Sequence, residues 1–571
     1  MKLVFIHPPL PGNRHHKKIF PLGIAYIAAY LRENIPDTRI RVLDAMIEDL
    51  DHGDVRAQLS SLDADLVGIS AFTVQAEFAY ELADWIKERF PRVKVVLGGV
   101  HPSLMPEEAI EHADFVVIGE GEETMAELIE ALQGQRPIEG INGLIFRQDG
   151  KMVRTETRPF IADLDSLPFP AWDLFDMPAY NTSMHVIGGQ RLPVIGSRGC
   201  PYNCTYCCSP AIWKRKVRYR SPDKVLDEMQ YARDNLGIPS IHFWDDNLFM
   251  NRSYIQDLIQ GMIDRNFNMP WTGLTRASHL LKQADLIPLL KQTGCIGIEI
   301  GIESANPDTF DLIDKQESLD GLREACRIQR EHGLYPMFTY MAFNPGETLT
   351  GYYLQARFID ELMSGLPWAD FFHPHPYRLY VGQFCTPHVG SRLFEEAPGL
   401  GKLLASRWPH YHHHRINFLP NSLLDEKPVV DQTLINNQAR YLCLNAYDKQ
   451  VYEFNYFHRD WRRSKQMLGE LRFLNFLDAF TSRCNGTAKL RDMALDAAKA
   501  TGIEEVEGLS FAGMISLVLC QRGIMHAAGD EPYPPPAPLQ FPLNTWRRRI
   551  KYALMNSLKG PLRRHLEAGN S

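Results

Sequence analysis

The chain has 571 residues, of which 45% are hydrophobic and 23% are charged. This length exceeds what one hydrophobic core organises, so several domains are expected, and the composition excludes a mainly disordered protein. The formal net charge of −8 at pH 7 argues against a uniformly basic surface, and no nucleic-acid partner is expected.

The N-terminal residues and the cysteine content bear on the cellular compartment. The stretch MKLVFIHPPLPGN has the pattern of a buried strand and lacks the features of a secretory signal. No apolar run is long enough to cross a membrane, and the 10 cysteines form no regular disulfide framework. These features predict a cytoplasmic protein.

Residues 1–135 alternate short β-branched segments with amphipathic segments. The predicted strands are 2–6, 39–43, 66–70, 94–97 and 115–118. The predicted helices are 22–34, 53–62, 75–90 and 122–133. This rhythm predicts an α/β fold with a doubly wound, Rossmann-like parallel sheet, whose ligand lies at the carboxyl ends of the strands.

The rest of the chain divides into four segments. We expect a connector over 136–192, with a hairpin at Asp149 and Gly150 followed by a Pro-rich stretch. Strand candidates then recur near 193–197, 240–244, 270–275, 296–302, 336–342 and 371–380. These repeats predict a partial (β/α)6 barrel of the TIM type over 193–395, with its active site at the carboxyl ends of the strands. Helical periodicity predicts a mainly helical domain over 396–530, and 531–571 form a Pro-rich linker and a basic tail.

The end of the chain is basic and amphipathic. Residues 545–565 contain Lys and Arg but no acidic residue, and Trp546, Ile550, Leu554 and Leu558 recur at helical spacing. Such a segment is typical of peripheral membrane contact or of an anionic partner. The alternative is a solvated terminal helix.

The stretch SRGCPYNCTYCCSP directly follows the first predicted barrel strand. Cys200, Cys204 and Cys207 form a C-x3-C-x2-C pattern, and Cys208 lies beside them. Three thiolates from one loop leave one position open, which favours an iron–sulfur cluster with one accessible iron. A zinc site and a redox pair at Cys204 and Cys207 remain alternatives, although structural zinc usually takes four ligands and no second C-x2-C occurs.

The segment CPYNCTYC resembles the signature of the radical S-adenosylmethionine (SAM) enzymes. Further motifs match the cobalamin-dependent members of that superfamily, in which a cobalamin-binding domain precedes the barrel: SAFT, GGVHP, IGEGEET, LDSLPFPAWDL, FWDDNLFMN, GIEIGIES and FNPGET. The chain is therefore identified as a member of the cobalamin-dependent radical SAM family. This resemblance implies three cofactors, namely a [4Fe–4S] cluster, SAM and cobalamin.

The resemblance also implies roles for residues of the barrel. It makes Cys200, Cys204 and Cys207 the catalytic cluster ligands, Cys208 a bystander, and places the backbone around Tyr206 and the side chain of Asn344 near the adenosine of SAM. Candidates for further SAM or substrate contacts end the other strands, namely Asp245, Asp246, Arg276, Glu299 and Glu303. Arg276 could pair with the carboxylate of SAM, and Glu299 and Glu303 should point to one side of their strand. Solvated charge is the alternative for the two aspartates, and a structural ion pair is the alternative for the two glutamates.

The loops of the first domain carry the predicted cobalamin contacts. These are Ser70, Thr73, Gln75, Gly98, Gly99, His101, Gly119, Glu120 and Gly121. The DxHxxG motif, which supplies a histidine ligand to cobalt in methionine-synthase-like domains, is absent from the first 135 residues. We therefore expect cobalt without a histidine ligand from the protein.

The resemblance implies a methyltransferase that acts on an unactivated carbon, or on phosphorus, through a 5′-deoxyadenosyl radical and methylcobalamin. The alternative is a non-methylating enzyme with the same cofactors, like the anaerobic oxidative cyclase of magnesium-protoporphyrin monomethyl ester. A cobalamin-dependent sensor with an inactive barrel is a third hypothesis. For an enzyme, the expected partners are a small-molecule or peptide substrate and an electron donor such as flavodoxin or ferredoxin.

Overall fold

The computed structural model describes residues 1–10, 19–48, 50–180, 191–363, 383–408, 411, 416–435, 439, 443–444 and 463–532. The strand predicted at 371–380 and the basic segment 545–565 lie outside these residues. Among the described helices, none is long and apolar enough to span a membrane.

The first domain is built on a seven-stranded sheet. Its strands are β1 (Lys2–His7), β2 (Arg39–Asp44), β3 (Leu66–Ser70), β4 (Lys94–Gly98), β5 (Phe115–Val117), β6 (Leu144–Gln148) and β7 (Lys151–Arg154). The order is β2-β1-β3-β4-β5-β6-β7, in which β1 to β5 are parallel. The helices are α1 (Leu22–Asn34), α2 (His52–Gln58), α3 (Ala76–Arg89), α4 (Val100–Leu104), α5 (Pro106–His112) and α6 (Glu122–Leu132). The predicted doubly wound sheet is confirmed.

Two parts of this domain differ from the sequence-based expectation. The hairpin at Asp149 and Gly150 forms, but β6 pairs antiparallel with β5 and so extends the first sheet instead of lying in a separate connector. The reason is burial, because Leu144, Ile145 and Phe146 complete the core beside β5. The stretch after β4, expected as a loop, folds into α4 and α5.

The second sheet is an open half-barrel of six parallel strands. They are β8 (Arg191–Val194), β11 (Ser240–Phe243), β12 (Trp271–Thr275), β13 (Cys295–Glu303), β14 (Met337–Ala342) and β15 (Gln383–Phe384). A short antiparallel pair, β9 (Ser197–Arg198) and β10 (Arg218–Tyr219), follows β8. The surrounding helices are α7 (Ser209–Trp213), α8 (Pro222–Leu236), α9 (Arg252–Asp264), α10 (Ala277–Lys282), α11 (Ile287–Leu290), α12 (Pro307–Leu312), α13 (Leu319–Glu331) and α14 (Leu349–Met363). The sheet order β15-β14-β13-β12-β11-β8 confirms the partial barrel.

Alternation along β8 and β11 defines the two faces of this sheet. Leu192 and Val194 of β8 belong to the same core as Val225 and Leu226 of α8, so they face the outer helices. The residues between and beside them, such as Arg191, therefore face the lumen of the half-barrel. The lumen is where a barrel of this type carries its chemistry.

The described part of the C-terminal region is mainly helical, as predicted. Its helices are Arg392–Leu400, Asn421–Leu424, Arg463–Thr481, Leu490–Thr501 and Glu505–Gln521. Short antiparallel pairs join Gly401–Leu403 to Phe418–Pro420, and Pro428–Val430 to Met525–Ala527. The helix Arg392–Leu400 runs across the boundary expected between 395 and 396. Phe343 and Tyr352 of the barrel share one core with Phe476 and Leu517, so the C-terminal helices pack directly on the barrel.

Candidate active site

The cysteine loop begins where β9 and β10 pair. Gly199, at the base of the loop, has φ +103°, and a Cβ atom there would lie 2.1 Å from the carbonyl oxygen of Lys216. Only glycine therefore fits this position. Beyond it, the Thr205 N–H donates to the Ile313 carbonyl at 3.0 Å, and the Leu393 N–H donates to the Thr205 carbonyl at 2.8 Å. These bonds fix the loop against the far side of the half-barrel.

Cys200, Cys204 and Cys207 are free thiols of intermediate exposure. Sγ of Cys207 accepts the Ser209 N–H at 3.4 Å. Among the described residues, no three His, Cys, Asp or Glu side chains converge on a point that would hold a single metal ion. Three cysteine thiols from one loop are the donor set of a cluster that keeps one iron open to a further ligand.

Arg276, expected to bind the carboxylate of SAM, lies against the cysteine loop. Its guanidinium stacks 3.8 Å from the ring centre of Tyr202, and Nη1 lies 3.7 Å from Sγ of Cys204. Nε pairs with Oε1 of Glu317 at 3.1 Å, and Nη2 donates to the Gln316 carbonyl at 3.1 Å. Because these contacts already engage the guanidinium, its predicted role toward SAM stays a prediction.

Tyr206, Glu303 and Lys315 form a buried polar cluster beside the cysteines. The Tyr206 hydroxyl donates to Oε1 of Glu303 at 3.1 Å, and Nζ of Lys315 lies 2.9 Å from the same oxygen. Burial, followed by the charge of Glu303, raises the pKa of the Tyr206 hydroxyl well above its ordinary value. Nδ2 of Asn344 donates to the Glu303 carbonyl at 3.0 Å, while its buried Oδ1 has no partner among the described residues. The structure therefore brings together Tyr206, Glu303 and Asn344.

The simple alternation expected between Glu299 and Glu303 is interrupted. The register of β13 against β14 shifts between Gly301 and Glu303, and Glu303 itself has φ +64°. A bulge of this kind re-aims the side chains that follow it. Glu299 acts electrostatically on Arg191, whereas Glu303 pairs with Lys315. The two carboxylates therefore do not act as one pair.

The two aspartates after β11 have different surroundings. Asp245 is fully engaged, accepting the Gly196 N–H at 3.0 Å and the Ser197 hydroxyl at 2.5 Å, and burial raises its pKa to about 6. Asp246 accepts the Ser209 hydroxyl at 3.0 Å, and burial raises its pKa as well. Asp245 thus holds the chain between β8 and β9, and Asp246 is the one of the pair that reaches a cavity.

A cavity of about 340 Å³ lies between the first domain and the barrel. From the barrel it is lined by Ser197, Gly199 and Trp213, which flank the cysteine loop, and by Trp244 and Asp246, which follow β11. From the first domain it is lined by six of the nine predicted cobalamin contacts: Ser70, Gly98, Gly99, Gly119, Glu120 and Gly121. A Cβ atom on Gly98 would meet nothing closer than 3.8 Å, so glycine keeps this wall of the cavity open. The residues present therefore fit a large planar cofactor such as cobalamin.

The other three predicted cobalamin contacts, Thr73, Gln75 and His101, do not line this cavity. Gln75 is buried and holds the chain, because it accepts the Phe72 N–H and donates to the Pro8 carbonyl. His101 is fully buried, with Nδ1 3.3 Å from Oγ1 of Thr73, and burial lowers its pKa to about 4. These side chains support the loops instead of facing the cavity.

Glu120 has a role that its sequence position did not indicate. Its carboxylate pairs with Arg198 at 2.5 Å and with Arg218 at 2.7 Å, and it accepts the Ile161 N–H at 2.9 Å. Glu122 binds the second nitrogen of Arg198 at 2.8 Å. This buried network joins the IGEGEET loop to β9 and β10. Arg198 lies two residues before the first cysteine, and that proximity was the only sequence signal for it.

Comparisons with known proteins agree with this geometry. Residues 14–129 match the B12 binding domain, and residues 194–350 match the Radical SAM superfamily. An uncharacterized methyltransferase of Pyrococcus horikoshii is 31% identical over 72% of this chain and 86% of its own length. The anaerobic magnesium-protoporphyrin IX monomethyl ester cyclase of Synechocystis is 30% identical over 60% of this chain and 68% of its own length.

Among solved structures, the fold is similar to that of OxsB, a cobalamin-dependent SAM radical enzyme with aqua-cobalamin and SAM bound. The TM-score is 0.59 at 16% identity, over 86% of this chain and 68% of that one. The cysteine loop, the interdomain cavity and these similarities lead to one assignment. The chain belongs to the cobalamin-dependent radical SAM enzymes, whose cofactors are a [4Fe–4S] cluster, SAM and cobalamin.

Proposed function

We propose that this enzyme is a methyltransferase that places a methyl group on an unactivated carbon or on a phosphorus atom of its substrate. The observation that carries the proposal is the single cavity lined both by the cobalamin loops and by the residues that flank the cysteine loop. When bound, the cofactors supply a 5′-deoxyadenosyl radical for hydrogen abstraction and a methyl group for transfer. Both chemistries are then available on one side of the half-barrel.

The residues of the chain position these groups. Cys200, Cys204 and Cys207 would hold the cluster, and the β9–β10 pairing fixes their loop beside the cavity. Tyr206 and Asn344 would meet the adenosine of SAM, and the partnerless Oδ1 of Asn344 is a free acceptor for it among the described residues. Asn344 and Glu303 are buried, and a site that is closed to water on this side protects a reactive radical from side reactions.

Ion pairs hold the first domain against the barrel beside the interdomain cavity. Arg198 and Arg218 meet Glu120 in a buried setting, so the first domain is held in one orientation over the barrel. A fixed orientation matters because transfer reactions need their two reactants in a near-attack geometry. In this proposal the ion network positions the cobalamin domain and touches no reacting atom.

A second candidate is a non-methylating reaction on the same cofactors. It is favoured by the cyclase relative, which covers 60% of this chain at 30% identity. The methyltransferase relative covers 72% at 31% identity and therefore supports the first candidate over a longer part of the chain. In both cases the substrate is a small molecule or a peptide, the electron donor is a flavodoxin or a ferredoxin, and the compartment is the cytoplasm.

Methyl transfer is tested with SAM that carries an isotopically heavy methyl group. The protein, loaded with cluster and cobalamin and reduced, is incubated with metabolites extracted from a strain that lacks it. The proposal expects 5′-deoxyadenosine and one metabolite that carries the heavy methyl group. A substrate that changes mass without taking up the label would favour the second candidate.

A further inference from the structure

We infer that Arg191 and Tyr180 form an anion site in the lumen of the half-barrel, which holds a carboxylate or phosphate group of the substrate. The inference rests on the proposed methyl transfer for the identity of the occupant, and on the structure for the site. None of the residues that line the site belongs to the cysteine loop or to the predicted contacts to SAM and cobalamin.

The site is a small cavity of about 50 Å³ beside β8 and β11. Arg191 and Pro193 of β8 and His242 of β11 line one side, and they lie on the lumen face because Leu192 and Val194 pack outward. Phe20, Met177 and Tyr180 close the other side. A volume of this size accommodates one small polar group or a few water molecules, and it cannot hold a whole substrate.

Arg191 is a buried cation with unused hydrogen-bond donors. Arg191 is only 8% exposed, and neither its Nε nor its Nη2 has a hydrogen-bond partner among the described residues. Burial lowers the pKa of its guanidinium, and Glu299 offsets this only through its more distant charge. A buried guanidinium without partners costs stability, so a ligand that supplies those partners is the direct physical reason to keep it.

Tyr180 provides an independent second donor. Its side chain lines the same cavity and is 2% exposed, and its hydroxyl has no partner among the described residues. A planar guanidinium and a neighbouring hydroxyl together offer the donors that an oxyanion requires. The aromatic walls provided by Phe20 and Trp244 keep the surroundings apolar, which strengthens such bonds.

The position of the cavity assigns the occupant to the substrate. Trp244 lines both this cavity and the interdomain cavity, and its side chain is partly exposed. A group anchored at Arg191 therefore lies next to the space where cobalamin is expected. The rest of an anchored substrate can extend along Trp244 toward that space. SAM, in contrast, is expected at the cysteine loop, beyond the carboxyl end of β8.

The test uses the full chain loaded with cluster and cobalamin, with inorganic phosphate and acetate as separate probes. Thermal unfolding is followed with increasing probe for the wild type, for Arg191→Met, for Tyr180→Phe and for Arg154→Met. Arg154 is an exposed arginine in β7 and serves as the matched control. The two probes distinguish a phosphate site from a carboxylate site.

We expect at least one probe to raise the unfolding temperature of the wild type and of Arg154→Met. For Arg191→Met the probe affinity should fall by about tenfold or more, the equivalent of one lost charge-assisted hydrogen bond. Without probe, Arg191→Met should unfold at a temperature equal to or above that of the wild type, because an uncompensated buried charge has been removed. Tyr180→Phe should weaken binding of the same probe without destabilising the protein. This second variant keeps the test valid if Arg191→Met does not fold.

Three results would overturn the site. The first is that neither probe raises the unfolding temperature of the wild type, or that each probe raises the unfolding temperatures of Arg191→Met and Tyr180→Phe as much as that of the wild type. The probe then binds elsewhere or not at all. The second is that Arg191→Met unfolds at a clearly lower temperature while Tyr180→Phe binds the probe normally, which makes Arg191 a structural residue. The third is that Arg191→Met weakens the binding of SAM by tenfold, which would make SAM the occupant of the site. None of these depends on methyl transfer, so failure of the site and failure of the proposed function are distinguishable.

Discussion

Nη1 of Arg198 lies 2.5 Å from Oε1 of Glu120, and this contact joins the barrel to the first domain where the cysteine loop begins. Both side chains are almost completely buried. Glu120 also pairs with Arg218, so one carboxylate compensates two guanidinium groups. Glu122 binds the second nitrogen of Arg198, so Glu120 and Glu122 together hold the first domain against the barrel.

Replacement of Glu120 by Gln should destabilise the protein strongly. The change removes the carboxylate that pairs with Arg218 and one of the two carboxylates that pair with Arg198, and breaking a buried pair in this way costs about 3–5 kcal/mol. Denaturant unfolding of the cobalamin-free protein measures the loss. The matched control is Glu107→Gln, whose pair with Arg154 is exposed and should contribute less than about 1 kcal/mol. Equal effects of the two substitutions would contradict the role of the network.

Replacement of Cys200, Cys204 or Cys207 by Ala should abolish 5′-deoxyadenosine formation and lower the iron content. Each substitution removes one thiolate from a cluster that has only three protein ligands. Cys208→Ala is the internal control, because Cys208 lies in the same loop but directly precedes α7 and is not an expected ligand. Iron analysis and product chromatography check both effects. A Cys208 variant that loses iron as completely as the others would contradict the assignment of ligands.

Gly98→Leu should weaken cobalamin binding without unfolding the first domain. Gly98 lines the interdomain cavity, and a Cβ atom there meets nothing closer than 3.8 Å, so the backbone leaves room for a side chain to begin. We expect the dissociation constant for cobalamin to rise by about tenfold or more, measured by absorption titration. Gly140→Leu, remote from the cavity, is the control and should bind normally. Unchanged affinity in Gly98→Leu would place cobalamin elsewhere.

Glu347 should make stability fall as pH rises. It is fully buried, accepts the Thr309 hydroxyl at 3.1 Å, and burial raises its pKa from 4.5 to about 7. The folded state therefore holds a proton that the unfolded state releases, so the wild type loses stability relative to Glu347→Gln between pH 4.5 and about 7. The expected difference is about 3 kcal/mol, measured by urea unfolding of both proteins at either end of this range. Parallel pH profiles of the two proteins would rule out this titration.

Much of the architecture could be predicted from the sequence because it is written in local patterns. The strands and helices of the first domain follow the spacing of apolar residues in each segment. The observed ends of β1 and α1 lie within one residue of the predicted ends. The cysteine loop was recognisable because three functional residues lie within eight positions of one another. Local signals of this kind need no knowledge of the tertiary structure.

The contacts that join distant segments could not be predicted. The partners of Glu120 lie 78 and 98 residues away, and nothing in the local pattern of either segment indicates the other. The hairpin of β6 and β7 has the same alternating pattern whether it lies in a connector or extends a sheet, so only its pairing with β5 decides. Likewise, the bulge before Glu303 arises from the pairing of β13 with β14.

The central claim is that one protein joins radical formation to methyl transfer. The most direct measurement is a single reaction with heavy-methyl SAM, cobalamin, reductant and extracted metabolites, in which 5′-deoxyadenosine and the labelled product are quantified together. The account predicts a labelled metabolite that appears in proportion to 5′-deoxyadenosine in the wild type and is absent from Cys204→Ala. Formation of 5′-deoxyadenosine with a consumed substrate and no transferred label would contradict it.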